Sequence, residues 1–219
     1  MKRSANKSRT SNKRIRRGRI IVISGPSGVG KTTICDRILE RRRDIGYSVS
    51  ATSRPRRKGE RSGREYYFLP ETLFKDWIKK GRFIEWAIVH GYRYGTPRQY
   101  LDRQLVSGRH VLLDVDVQGG KSLKRLYKNG VFIFIKPPSF RELRKRLLNR
   151  RTENQDDLKT RLAAVWREIK CRKDYGHTVI NDDRDRTVDR ILSIIEKETG
   201  ISDTETIPMG RKRPLRGGN

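Results

Sequence analysis

The octapeptide Gly25-Pro26-Ser27-Gly28-Val29-Gly30-Lys31-Thr32 follows the apolar run Ile20-Ile21-Val22-Ile23 and precedes residues Ile34, Cys35, Ile38 and Leu39, which recur at helical spacing. The β-branched run reads as a strand buried on both faces, so the chain passes from strand to helix through a glycine-rich turn. A G-x-x-x-x-G-K-[ST] string in that setting points to phosphate binding: glycines let backbone N–H groups close around a phosphate chain, and the helix N-terminus adds partial positive charge. Gly25, Ser27, Gly28, Val29, Gly30, Lys31, Thr32 and Thr33 are the candidate binding residues for ATP or GTP. Lys31 brings a point charge to the β- and γ-phosphates, and Thr32 offers a hydroxyl to Mg²⁺. An acid at the end of a neighbouring strand completes such a metal environment, through water. Asp116, closing Val111-Leu112-Leu113-Asp114-Val115-Asp116, is the candidate, with capping of the next helix as the competing use of Asp114 and Asp116.

The rest of the chain alternates apolar runs with helical stripes. Val131-Phe132-Ile133-Phe134-Ile135 and His177-Thr178-Val179-Ile180-Asn181 read as further strands, and helices are expected through Leu101 and Leu105, Leu123 and Leu126, and Val188 to Ile195. Strands alternating with helices predict an α/β fold in three layers around a mostly parallel sheet. Between Tyr47 and Tyr94 the pattern changes to short alternating segments with turn residues Pro55, Gly59 and Gly63, which predicts a small antiparallel insert. Thr96 and Pro97 read as an N-cap and first helical residue, and Ser139 with Glu142 as a capping box. That box opens a two-helix arm dense in arginine, a candidate lid.

The 219 residues carry 53 Lys+Arg against 25 Asp+Glu, a formal charge of +28. Such a field attracts polyanions and says nothing about fold. Residues 1–19 hold nine of the cations and no acid, and residues 20–200 still carry 40 against 23. The first 18 residues read as a disordered basic arm, since they lack the apolar residues of a transit helix. Cys35 and Cys171 are too few and too far apart for a zinc site or a disulfide framework, which suggests a reducing, cytoplasmic setting. No apolar run reaches the roughly 18 residues of a membrane span.

The triphosphate motif leaves the acceptor open, and the insert speaks to it. Ser50-Ala51-Thr52-Ser53-Arg54-Pro55-Arg56-Arg57-Lys58-Gly59-Glu60, Gly63 to Phe68, Phe83-Ile84-Glu85-Trp86-Ala87, His90 to Thr96, Asp114 to Gly119, Pro137-Pro138-Ser139 and Asn181-Asp182-Asp183 together resemble the guanylate kinases, over residues 20–198. The resemblance implies transfer of the γ-phosphoryl of ATP to GMP or dGMP with Mg²⁺, in purine nucleotide metabolism, by a monomer or homodimer. It divides the chain into a core (19–49, 97–137, 172–199), a GMP-binding insert (50–96) and a lid (138–171), followed by a basic tail (200–219). Arg54, Arg57, Tyr66 and Tyr94 would hold the GMP phosphate, since guanidinium forks match phosphate oxygens bidentately. Ser50, Glu85, Thr96 and Asp114 would complete the acceptor site. Glu85 argues most for guanine, because a carboxylate accepts from the N1–H and N2–H donors that adenine lacks. Lys31, Arg54 and the lid arginines Arg146, Arg150 and Arg161 would neutralise the transferring phosphoryl group.

The sequence departs from the family pattern where Arg56 replaces the proline that usually precedes the second arginine, and where Ala51 replaces a frequent hydroxyl. Asn181 either approaches the adenine side or caps its own turn. A non-catalytic scaffold domain would have a damaged phosphate loop, and a sugar-phosphate kinase would lose Ser50, Glu85 and Thr96; neither matches this chain. The basic arm and Arg211-Lys212-Arg213 could bind RNA non-specifically through charge.

Overall fold

The computed structural model describes residues 17–89, 91–148, 163 and 165–201. Residues 1–16 of the basic arm, the end of the tail, Arg150 and Arg161 lie outside those residues, and so does the RNA reading of the two termini.

Strand β1 (Ile20–Ser24) is buried along its whole length. Its alternate side chains feed two cores: Ile21 and Ile23 pack with Ile34, Ile38, Val188 and Ile191, whereas Ile20 and Val22 pack with Leu101, Leu105 and Leu123. A strand with apolar residues on both faces must be covered on both faces, and this produces the three layers. Helices α1 (Lys31–Arg41) and α6 (Arg184–Thr199) lie on one side, α3 (Arg98–Val106) and α4 (Val117–Leu126) on the other.

The five-stranded core sheet also contains β2 (Gly46–Tyr47), β7 (Val111–Asp114), β8 (Val131–Lys136) and β9 (His177–Ile180), in the order β2-β7-β1-β8-β9. Every pairing in it is parallel. β1 is thus the central strand, and its C-terminal end, where the phosphate loop begins, lies between the ends of β7 and β8. Ligands of open α/β sheets bind at that edge.

The insert forms a second sheet from β3 (Ala51–Thr52), β4 (Tyr67–Phe68), β5 (Phe83–Val89) and β6 (Tyr92–Pro97), ordered β4-β3-β6-β5. β6 runs antiparallel to β3 and β5, as expected, and a short parallel pair joins β3 to β4. Helix α2 (Glu71–Lys79) closes one face through Phe74, which stacks on Phe83 with ring centroids 4.5 Å apart. The arm contains α5 (Phe140–Leu148) and helical residues 165–170, joined by a core of Leu143, Leu147 and Val165. The Glu142 N–H donates to Ser139 Oγ at 3.1 Å, the half of the capping box that opens α5.

Two boundaries differ from the sequence reading. Thr96 and Pro97 stay in β6, paired with Glu85 and Phe83, and α3 starts at Arg98. The Thr96 hydroxyl, held opposite Glu85 by that register, is used across the sheet and not as a cap. The strand after Gly108 ends at Asp114, two residues earlier than the apolar run suggests, because Asp116 caps α4 by accepting from the Gly119 N–H at 2.8 Å.

Candidate active site

The phosphate loop needs its glycines. Gly25, Gly28 and Gly30 have φ of 149°, 81° and 97°, in the region that side chains avoid. A Cβ at Gly25 would also sit 2.3 Å from the carbonyl oxygen of Ile135. Gly30 caps α1 without a side-chain bond, and the first turn of the helix holds no acid, so its N–H groups stay open to an anion. Lys31 Nζ donates to the carbonyls of Gly25 (2.9 Å) and Pro26 (3.3 Å), which fixes the ammonium over the loop.

Asn181 braces the loop from inside. At 5% exposure it donates from Nδ2 to the Val29 carbonyl at 2.7 Å and accepts on Oδ1 from Thr187 at 3.3 Å. The turn it was expected to cap is held by its neighbours: Asp182 accepts from the Asp183 N–H, and Asp183 caps α6. A cavity of about 160 Å³ opens beside this brace, lined by Gly28, Gly30, Thr33, Ile34, Arg146, Asn181 and Arg184. It brings the loop together with one lid arginine. Arg146 is meanwhile tied to Glu142 by Nε at 3.1 Å. Glu168, across the lid, accepts from the Ser27 N–H at 3.2 Å.

The two strand-end acids serve different neighbours. The Thr32 hydroxyl donates to Asp114 Oδ2 at 3.0 Å. Desolvation raises the half-buried Asp114 carboxyl above its ordinary value, an effect that Lys31 and the Thr32 bond offset only in part. Asp116 instead turns its Oδ1 to α4 and faces Glu85. An ideal Cβ on Gly119 would lie 2.7 Å from Glu85 Oε2 and 3.2 Å from Asp116 Oδ1, so both carboxylates converge on that glycine. Gly119 leaves room for the pair, a role that nothing in the local sequence announces.

Glu85 is the most unusual acid among the described residues. It is 8% exposed, and the buried Thr96 hydroxyl donates to its Oε1 at 2.5 Å. Burial pushes its carboxyl up to about 7; the Thr96 bond opposes that rise and the Asp116 charge adds to it. A buried carboxylate with one oxygen pinned is a receptor for N–H donors. Ser50, half-buried at the entry to β3, accepts on its carbonyl from the Tyr67 N–H.

The cationic end of the insert is organised by Arg54, 8% exposed. Its Nε donates to Tyr94 Oη at 3.2 Å, NH1 to the Pro55 carbonyl (2.7 Å) and Glu60 Oε2 (3.1 Å), and NH2 to Glu60 Oε1 (2.7 Å). Its guanidinium carbon lies 5.6 Å from the ring centroids of both Tyr66 and Phe68. Four of the five guanidinium N–H groups are therefore taken, and Arg54 cannot offer a free fork to a phosphate without giving one up. Arg57 can: it is exposed, and its guanidinium makes no bond among the described residues. Tyr66 packs edge-on against Tyr94, with centroids 5.7 Å apart, and burial raises its phenol, as does the nearby charge of Asp114. Tyr66 therefore lies within electrostatic range of Asp114, which holds Thr32 of the phosphate loop, so the insert's cationic end faces the loop.

A triphosphate cradle on the core side, facing a cationic cluster on the insert side, has the makings of a P-loop kinase of the nucleoside-monophosphate class. The family model described as guanylate kinase matches residues 17–198. The chain is 43% identical over 183 residues to the guanylate kinase of Caldanaerobacter subterraneus subsp. tengcongensis, covering 84% of this chain and 89% of that one. It is 40% identical to that of Thermotoga maritima, covering 83% and 88%. The crystal structure of the Anaplasma phagocytophilum guanylate kinase superposes with a TM-score of 0.72 at 34% identity, covering 86% of this chain and 89% of that one. The chain belongs to the guanylate kinase family and phosphorylates GMP with ATP.

Proposed function

We propose that the two strand-end aspartates divide the reaction between them, Asp114 serving the phosphoryl donor and Asp116 the acceptor base. The observation that carries this is the hydroxyl of Thr32 on Asp114, set against the convergence of Asp116 and Glu85 on Gly119. Thr32 and Asp114 provide oxygen donors suited to Mg²⁺, which takes one or two carboxylates and fills its shell with substrate phosphates and water. When bound there, the metal would neutralise charge on the β- and γ-phosphates. This moves the metal carboxylate from Asp116, expected from the sequence, to Asp114.

On the acceptor side, Arg57 presents its fork to the GMP phosphate, Arg54 adds its charge and one N–H, and Tyr66 and Tyr94 add hydroxyls. Glu85 accepts the N1–H and N2–H of guanine, with Asp116 beside it and Thr96 fixing its outer oxygen; Ser50 closes that pocket. Lys31 and the open amides of the α1 N-terminus hold the triphosphate, and Arg146 joins Arg150 and Arg161 in the lid. GMP and dGMP share all of these contacts. The two sheets and the arm support the division into core, insert and lid. The unpaired thiols of Cys35 and Cys171 suit a cytoplasmic enzyme.

Asp114→Asn keeps an acceptor for Thr32 and removes the charge. It is expected to raise the Mg²⁺ concentration for half-maximal turnover about tenfold or more while leaving KM for GMP within twofold, measured in a coupled ADP assay. The opposite pattern, a raised KM for GMP with an unchanged Mg²⁺ requirement, would return Asp114 to the acceptor site.

A further inference from the structure

We propose that Glu60 is a positioning residue for the acceptor phosphate, holding Arg54 and the Arg57 backbone in the geometry that receives it. The inference rests on the acceptor reading above. One Glu60 carboxylate makes three contacts: Oε1 takes Arg54 NH2 at 2.7 Å, and Oε2 takes Arg54 NH1 at 3.1 Å and the Arg57 N–H at 2.7 Å. It therefore ties together the two arginines assigned to the phosphate, at the base of an exposed loop whose other cations are Arg56, Lys58, Arg61 and Arg64.

Of the two acids between Pro55 and Tyr66, Glu65 accepts from the Arg61 N–H and pairs with Arg64. Only Glu60 reaches the buried guanidinium. Burial alone would raise its carboxyl; the bonds from Arg54 and the Arg57 amide outweigh that and hold it below the ordinary carboxylate range. The fork pairing also decides how Arg54 can act. With Nε on Tyr94 and the outer edge on Glu60, the remaining NH2 proton is the one left for an acceptor oxygen, and its direction is set by the carboxylate. Arg54 thus arrives oriented, and GMP need not spend binding energy ordering it.

Glu60→Gln preserves volume but puts an amide NH₂ against an Arg54 N–H, so donor faces donor and the two-point pairing is lost. Removal of the negative charge alone would favour a phosphate dianion, so the two effects have opposite signs and the experiment separates them. For the full-length protein, KM for GMP is expected to rise about tenfold or more, with KM for ATP and the affinity for guanosine, which has no phosphate, within twofold of wild type. Glu60→Asp, which keeps the charge, should fall between the two. An unchanged or lowered KM for GMP overturns the inference and makes Glu60 a mere occupant of the fork. A parallel loss of guanosine affinity overturns it as well, since the substitution would then have disturbed the whole insert. Arg57→Ala serves as the control for the acceptor reading: if it leaves KM for GMP unchanged, the phosphate does not bind here and both readings fall.

Discussion

Glu85→Gln is expected to lower kcat/KM for GMP by two to three orders of magnitude. In the proposed acceptor site the carboxylate accepts two N–H bonds from guanine, and charge-assisted bonds in a site this dry contribute roughly 1.5–3 kcal/mol each. A glutamine offers one acceptor and one donor, so one guanine N–H is left facing an N–H and the other loses its charged partner; together these forfeit about 3–4 kcal/mol, which at about 1.4 kcal/mol per tenfold is a loss of order 10² to 10³. The same residue sets a pH dependence. Its carboxyl titrates at about 7 in the free protein, and only the ionised form receives guanine, so KM for GMP should fall as pH rises from 6 to 8. The second ionisation of the GMP phosphate, near pH 6, adds to the lower part of that curve. The variant should retain that part and lose the upper one.

Glu85 also exposes a cost to the fold. Its folded value lies above the ordinary 4.5, so the folded state binds this proton more tightly than the unfolded chain does. Stability from the group is complete below about pH 4.5 and is lost as pH rises through 7, by about 3 kcal/mol. Glu85→Gln should accordingly melt higher than wild type at pH 8 and close to it at pH 4.5, while being the poorer enzyme at pH 8. A lower melting temperature at pH 8 would show that the carboxylate is better solvated than its burial indicates.

Lys31→Ala is expected to lower kcat about 10³-fold with a smaller effect on KM for ATP. Phosphoryl transfer asks the protein mainly for position and for charge on the transferring group. Deleting one preorganised electrostatic donor of this kind costs 10² to 10³ in rate. Lys31 is preorganised by the Gly25 and Pro26 carbonyls, which hold the ammonium at the loop before a nucleotide arrives. Lys31→Arg should rescue little, because a planar fork cannot replace a compact ammonium between two carbonyls. A kcat within fivefold of wild type for the alanine variant would remove Lys31 from the reaction. Single-turnover measurements at saturating ATP separate this from slower product release.

The parts of the fold that were legible in the sequence are those written in contiguous residues. Ile20 to Thr32 encode strand, turn and helix in thirteen positions, and the alternation of apolar runs with helical stripes reveals the parallel core. The insert is legible as a change of period. What the sequence hides are choices settled by distant partners. Asp114 and Asp116 stand two residues apart on one apolar run, and which of them meets Thr32 depends on where β7 ends, a decision taken when Asp116 caps α4. Thr96 has the sequence context of an N-cap, yet the β5–β6 register places it opposite Glu85. Asn181 braces Val29 from 152 residues away, and its buried side chain does this in place of capping its own turn. Arg54 reads as a phosphate fork until Glu60 is seen in that fork. In each case the residue type is right for its site, and the missing information is a partner brought near only by folding.

The most direct test of the central claim, that the site reads guanine through Glu85 while a phosphoryl group passes from ATP to the GMP phosphate, is a comparison of acceptors. Initial rates of ADP formation with GMP, IMP and AMP, at saturating ATP and Mg²⁺ and pH 8, vary the donors that face the carboxylate. GMP presents N1–H and N2–H, IMP presents N1–H alone, and AMP presents neither. The expected order of kcat/KM is GMP, then IMP lower by at least tenfold, then AMP lower again, with the gap between GMP and IMP narrowing in Glu85→Gln. Comparable turnover of GMP and AMP by the wild-type protein would contradict it.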